Sequence, residues 1–157
     1  MIATRFSVAT HIMLMMAVHP NGRLTSPRIA DSVNTNPVVV RRIMRLLARA
    51  GLVRVRRGQG GAALGRAAER ITLDDVWEAV NPAPAPPLLP LHANPDPGCP
   101  VGRHVPQLLG RSFGSAETAM RIALGEISIA AMASGIADAN QVLPDLDATG
   151  ADAGPGA

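Results

Sequence analysis

The sequence predicts a mainly α-helical protein with one small β-hairpin, and three observations carry that prediction. Apolar residues recur at helical spacing through much of the first fifty positions. The stretch "GLVRVRRGQGGAALGR", Gly51 to Arg66, switches to strand-like alternation around a glycine cluster. Past a proline-dense segment, a second helical pattern runs from about Val105 to Ile136.

Residues 6–18 form the first helix, with Phe6, Ala9, Met13 and Ala17 at helical spacing and Val8, Ile12 and Met16 beside them; "HPNG" ends it. "TSPRIADSV" opens the second, with Ser26 expected as its cap and Pro27 in the first turn, where a missing N–H costs nothing. "NTNPVVVRRIMRLLARAG" repeats the device: Asn36 precedes Pro37, and Gly51 closes the helix in a left-handed cap. "LVRVRR" and, more weakly, "AALGR" read as strands. "TLDDVWEAV" is a helix capped by Thr72, with Asp74 and Asp75 in the first turn, where the helix dipole favours carboxylates. "NPAPAPPLLPLHANPDPGCP" holds eight prolines in twenty residues, the composition of an ordered loop or a stiff linker. The pattern from 105 to 136 is one long helix or two abutting ones, with Gly110, Gly114 and Gly125 as weak points. "DATGADAGPGA" has the composition of a disordered tail, and no internal repeat is present. The organisation expected is a domain over 1–81, a proline-rich loop over 82–104, a dimerisation helix over 105–137 and a disordered tail over 138–157.

Three helices followed by a two-stranded hairpin is the order of a winged helix-turn-helix. A helical wheel at about 100° per residue tests the third helix. With Arg41 at zero, Val38, Arg42, Arg45 and Arg49 fall between 0° and about 100°, whereas Val40, Ile43, Met44 and Leu47 fall between about 200° and 300°. One stripe is basic with a valine at its leading end, and the opposite stripe is apolar. A recognition helix needs both: one face packed, the other presented to a major groove. The plain alternative is a solvated arginine face on a surface helix. The hairpin favours the former. Val53 and Val55 are expected to pack inward while Arg54 and Arg56 point out. Gly58, Gly60 and Gly61 permit a tight turn and close approach to phosphate, and Arg57, beside Gln59, reaches from the tip toward a minor groove. A charged hairpin also blunts an edge strand against aggregation, but directly after a basic helix it reads as a wing. Together with Ser26, Arg28 and Asn36, these are the expected DNA-binding residues.

Charge supports nucleic acid as the partner. Residues 1–70 hold twelve arginines against Asp31 and Glu69, a net +10, and residues 71–157 hold three arginines against ten carboxylates, a net −7. No lysine occurs, so every basic side chain is a guanidinium fork; a GC-rich genome gives the same bias. The single cysteine, Cys99, excludes an internal disulfide framework and fits a reducing, cytoplasmic setting. The apolar run Ile12–Val18 is too short to span a bilayer, and no small-x-small cleavage site follows it. There is no phosphate loop, nucleophile elbow or catalytic carboxylate pair, which argues against an enzyme. The rival class is a winged-helix interaction module that binds protein or RNA without operator specificity.

The block "RIADSVNTNPVVVRRIMRLLARAGLVRVRRGQGGAALGR…ITLDDVWEAV" resembles the Rrf2 family of bacterial winged-helix transcription regulators. Its marks are the "AGLV" turn, a glycine-rich arginine wing and a helix opening L-x-D-V; weaker likeness extends through "NPDPGCPVGRHV" to about residue 135. The resemblance implies a homodimer joined through the long C-terminal helix, bound to a pseudo-palindromic operator on double-stranded DNA and usually repressing. On that helix Leu108, Leu109, Phe113, Ala116, Met120, Ala123, Leu124 and Ile127 form a broad apolar stripe suited to a partner.

The departures are informative. Cluster-sensing members carry three cysteines before the dimerisation helix, and this chain supplies only Cys99, so no cofactor is expected. Where those relatives read bases with serine and glutamate, Val38 and Arg41 stand here, and Ala63 replaces the usual aromatic after the wing glycines. Cys99 lies near Arg103 and His104, cations that would lower its pKa if close in space. Some relatives without clusters sense oxidants or electrophiles through a thiol, and this resemblance makes Cys99 a candidate redox sensor; a small hydrophobe packing the loop is the alternative. The histidines are scattered without i,i+4 pairing, so no metal is expected, His92, Cys99 and His104 being the only combination available to zinc.

Overall fold

The computed structural model describes residues 2–21, 24–55 and 61–142. Its elements are α1 (Ile2–Val18), α2 (Ser26–Val33), α3 (Pro37–Arg49), β1 (Val53–Val55), β2 (Ala62–Leu64), a 3-10 turn (Ala68–Arg70), α4 (Leu73–Val80), α5 (Pro100–Gly125) and α6 (Ile129–Val142). The winged helix-turn-helix order is therefore present, with two further helices after it.

The core is built around α1. Its Ala9, Ile12, Met13 and Met16 are buried, and it packs on α2, α3, α4, α6 and β2. Phe6 meets Trp77 of α4 edge-on, with centroids 5.3 Å apart and planes at 75°. Ile29 of α2, Val40, Ile43 and Leu47 of α3, Val76 and Val80 of α4 and Ile129 of α6 complete the same cluster.

Short-range chemistry sets the helix boundaries. Thr25, not Ser26, caps α2: its backbone is extended and its Oγ1 accepts from the Arg28 N–H at 3.5 Å, while Ser26 is already the first helical residue. Two adjacent hydroxyls offered the same cap, and the extended backbone at Thr25 decides between them. Asn34 closes α2 in the left-handed region at φ 55°, and Asn36 Oδ1 accepts from the Val38 N–H at 2.7 Å to start α3. Gly51 follows α3 at φ 71°, a conformation that favours glycine. At α4 the capping box is reciprocal. Thr72 Oγ1 accepts from the Asp75 N–H at 3.1 Å, and Asp75 Oδ2 accepts from the Thr72 N–H at 2.9 Å.

In the hairpin Val53 pairs with Leu64, Arg54 with Ala63 and Val55 with Ala62, antiparallel. Leu24 bridges Ala62 from the other side, tying the segment before α2 to the wing. At its base Gly65 donates to the Leu52 carbonyl at 2.8 Å, and a Cβ there would collide with the Gly51 carbonyl. Val55 corrects one expectation. Val53 is buried, but Val55 is 65% exposed. β1 is the outer strand of the pair: its partner Ala62 is buried against the core, while Val55 stands at the rim of a groove shared with Arg41 and Arg45.

The C-terminal pattern is two helices. α5 begins at Pro100, five residues earlier than expected, and ends at Gly125, one of the expected weak points, with the break at Glu126–Ser128; Gly110 and Gly114 lie within the helix. The break is stitched to the start of α4: the Leu73 N–H donates to Ile127 O at 2.9 Å and the Ile129 N–H to Ile71 O at 2.8 Å. Ser128 Oγ accepts from the Ala131 N–H at 3.1 Å, starting α6, which packs on α1 and runs to Val142, into the stretch expected as a tail. α5 behaves differently: none of its 26 residues is buried.

Candidate nucleic-acid interface

The expected faces of α3 are realised. Val40, Ile43, Met44 and Leu47 are buried, whereas Val38, Arg41, Arg42, Arg45 and Arg49 are exposed. Those arginines border different hollows. Arg41 and Arg45 line a groove of about 400 Å³ with Thr25 and Ser26 at the start of α2 and with Val55 and Gly61 of the hairpin. Arg42 turns toward Arg5, Thr35 and Val39 on the α1 side. Arg49 faces Arg66, Asp75 and Glu78. Arg28 and Arg54 are exposed on α2 and β1, and Asn36 is engaged through its side-chain oxygen in the α3 cap. Arg56, Arg57, Gly58, Gln59 and Gly60 lie outside the described residues.

Ion pairing gives this surface its sign. Arg66 pairs with Asp75 at 3.4 Å. Arg121 of α5 grips Asp74 with two bonds, of 2.7 and 2.9 Å, and reaches Glu78 at 3.4 Å. Asp74 holds the Arg121 pKa above its ordinary value. The α4 carboxylates are thus neutralised locally. Among the described residues, no ion pair reaches Arg28, Arg41, Arg42, Arg45, Arg49 or Arg54. Six guanidinium forks face solvent on adjoining elements, a field that attracts polyanions. The Arg121 pairings escaped sequence reasoning because their partners lie far apart in the chain, and the Arg66–Asp75 pair because a turn and the 3-10 segment separate its members.

The C-terminal candidates divide. Leu109, Phe113, Met120 and Leu124 are half-buried, with Leu124 packed on the domain's own core, whereas Leu108, Ala116, Ala123 and Ile127 are exposed. Arg121 and Leu124 dock the last turns of α5 on α4 and take Leu124 out of the free stripe.

Cys99 is exposed and stands at the N-cap of α5. Its thiol pKa is lowered, first by the backbone N–H of Gly102 and then by that of Val101, although no capping bond of good geometry closes. The expected cations are not the cause: the Arg103 guanidinium donates to the Pro97 carbonyl at 3.2 Å. His92, Cys99 and His104 are not brought together, and among the described residues no three His, Cys, Asp or Glu side chains converge as metal ligands.

A three-helix core, a turn-linked second and third helix, and a hairpin flanking a basic recognition face define a winged-helix protein of the DNA-binding regulator type. The chain matches the Rrf2 family, described as "Iron-dependent Transcriptional regulator", over residues 2–135. It is 40% identical over 129 residues to YwnA of Bacillus subtilis (strain 168), named as an HTH-type transcriptional regulator; the match covers 82% of this chain and 94% of that one. Among solved structures, one described as a DNA-binding protein superposes with a TM-score of 0.66 at 36% identity, covering 82% of this chain and 97% of its own. IscR of T. potens (TM-score 0.63, 18% identity, 92% and 91% covered) and CymR of B. subtilis, titled the global cysteine regulator (0.59, 22%, 83% and 93%), share the fold. The chain belongs to the Rrf2 family of transcriptional regulators, and neither the family nor its named relatives are enzymes. The iron in the family description does not fit this chain: its one cysteine is exposed at a helix start, with no second thiol to share a cluster. No helix among the described residues is long and apolar enough to cross a membrane.

Proposed function

We propose that the protein is a homodimeric, cytoplasmic, sequence-specific DNA-binding regulator that represses transcription from a pseudo-palindromic operator and is released through modification of Cys99. The observation that carries DNA binding is the set of six arginines on α2, α3 and β1 that no ion pair reaches among the described residues, beside an α4 whose carboxylates are already paired. α3 enters the major groove with Arg41 and Arg45 toward base edges, and Arg28 and Arg54 hold the backbone.

The dimer rests on α5. A 26-residue helix with no buried side chain, exposing Val101, Leu108 and Ile122 and docked on the winged domain only by its last turns, lacks over most of its length the packing that holds helices in water. A twofold axis along α5 gives it a partner and sets two recognition helices one DNA turn apart. The thiol reading rests on Cys99 being exposed with a lowered pKa at the root of that helix. An adduct there shifts α5 and so the spacing of the two winged domains.

The test selects fragments of native genomic DNA with the full chain and challenges them with excess random DNA. Fragments that stay bound and share a palindrome support the reading. Binding that competitor removes entirely makes the protein a basic interaction module instead.

A further inference from the structure

Between Leu24 and Val80 three large apolar side chains are exposed among the described residues: Val38 at 58%, Val39 at 43% and Val55 at 65%. All three lie on the elements that bear the unpaired arginines, and the rest of this stretch buries its large apolar groups well. Val38 is the second residue of α3, its N–H held by the Asn36 cap at 2.7 Å. It packs against no core, and its β-branched side chain is a weak choice for a helix. On the wheel it shares a stripe with Arg41 and Arg45.

Residues at the leading end of a recognition helix are the ones that meet base edges. A valine there has neither donor nor acceptor. The base-edge group that complements it is the C5-methyl of thymine, the one apolar feature of the major groove. We infer that Val38 determines specificity by packing on a thymine methyl, with Arg41 reading an adjacent guanine. Arg41 lies three residues on, a rise of about 4.5 Å along the helix, which spans one to two base steps at about 3.4 Å each. Each half-site therefore carries a T·A pair one or two steps from a G·C pair.

This inference rests on the operator reading above, and the experiment separates the two. An operator is taken from the genomic selection, and each thymine of one half-site is replaced singly by deoxyuridine, which removes only the methyl. Wild type should lose about fourfold in affinity at one position, the factor that about 0.8 kcal/mol for a methyl-sized group corresponds to. Val38→Ala should bind the normal operator about as weakly as wild type binds that substituted site, and should be indifferent to the substitution. Val38→Thr, which keeps a methyl, should restore part of the sensitivity. Equal responses of wild type and Val38→Ala at every position, or no response to any substitution, overturn the methyl contact while leaving operator binding standing. Because 5-methylcytosine presents the same group, genomic fragments are compared with amplified copies that lack it, and an affinity loss in the copies overturns the assignment to thymine. Absence of any operator-specific binding overturns both readings.

Discussion

Arg121→Ala tests how α5 is attached to the winged domain. The guanidinium makes two bonds to Asp74, at 2.7 and 2.9 Å, and a third contact to Glu78 at 3.4 Å. A hydrogen bond to a charged group contributes about 1.5–3 kcal/mol when sheltered. Here the side chains of Arg121 and Asp74 are 38% and 26% exposed, so solvent screening reduces the pair to about 1 kcal/mol. Glu78, at 70% exposed, adds little. Asp74 also favours the first turn of α4 through the helix dipole, so a single Asp74→Ala variant mixes two effects. A double-mutant cycle of Arg121→Ala with Asp74→Ala removes the mixture. Urea unfolding of the four proteins at one fixed concentration should give a coupling of about 1 kcal/mol at low salt. In about 1 M salt, where the screening length falls to about 3 Å, the coupling should roughly halve. A coupling within about 0.3 kcal/mol of zero at low salt, or one indifferent to salt, would refute the ion pair as the anchor. Attachment would then rest on Leu124 packing and on the backbone bonds that join the break after α5 to the start of α4.

Other perturbations separate reading, framing and reactivity. Arg41→Ala or Arg45→Ala should cost about 1–3 kcal/mol on the operator and much less on random DNA, whereas Arg54→Ala should weaken both alike and lower the salt slope by about one; titrations at several salt concentrations check the difference. Asn36→Ala should destabilise the fold by about 1 kcal/mol, with Asn36→Ser largely neutral, as denaturant midpoints would record. Leu47→Ala, at a fully buried position of α3, should cost about 2–5 kcal/mol in the same assay. Alkylation of Cys99 should rise with pH through a midpoint below the free-thiol value of about 8.5, because the folded state favours the thiolate. A midpoint at or above that value removes the thiolate from the proposed response.

Much of the winged domain was legible because its signals are local. The faces of α3 follow from arginines and aliphatics a few residues apart, the Thr72 cap from Asp75 three residues on, and the close of α3 from Gly51. Failures occurred where the deciding partner was remote. Period two predicted Val55 inward, but at that register only its partner Ala62 reaches the core, and Val55, on the outer strand, is left at the groove rim. Of the glycines of α5 only Gly125 ends the helix, because just beyond it Ile129 is drawn into the core and backbone bonds to Ile71 and Leu73 take over, whereas nothing comparable acts at Gly110 or Gly114. Ser128, one residue before an apolar run, was the available signal for that helix start. The identity of the Cys99 perturber was missed because sequence proximity suggested cations where the helix start supplies its own N–H groups.

The pairing of α6 with α1 joins the last described helix to the first. On a ribosome the DNA-facing elements emerge by residue 64, but Ile129, which seals the core against the opening helix, follows sixty-five residues later. A nascent chain thus displays its arginine face before its hydrophobic centre can close. Contacts between residues so distant in the chain slow folding, and during that interval the exposed underside of α1 is a target for chaperones. Truncations that spare every arginine but remove α6 should leave a product that is degraded rather than one that binds DNA weakly.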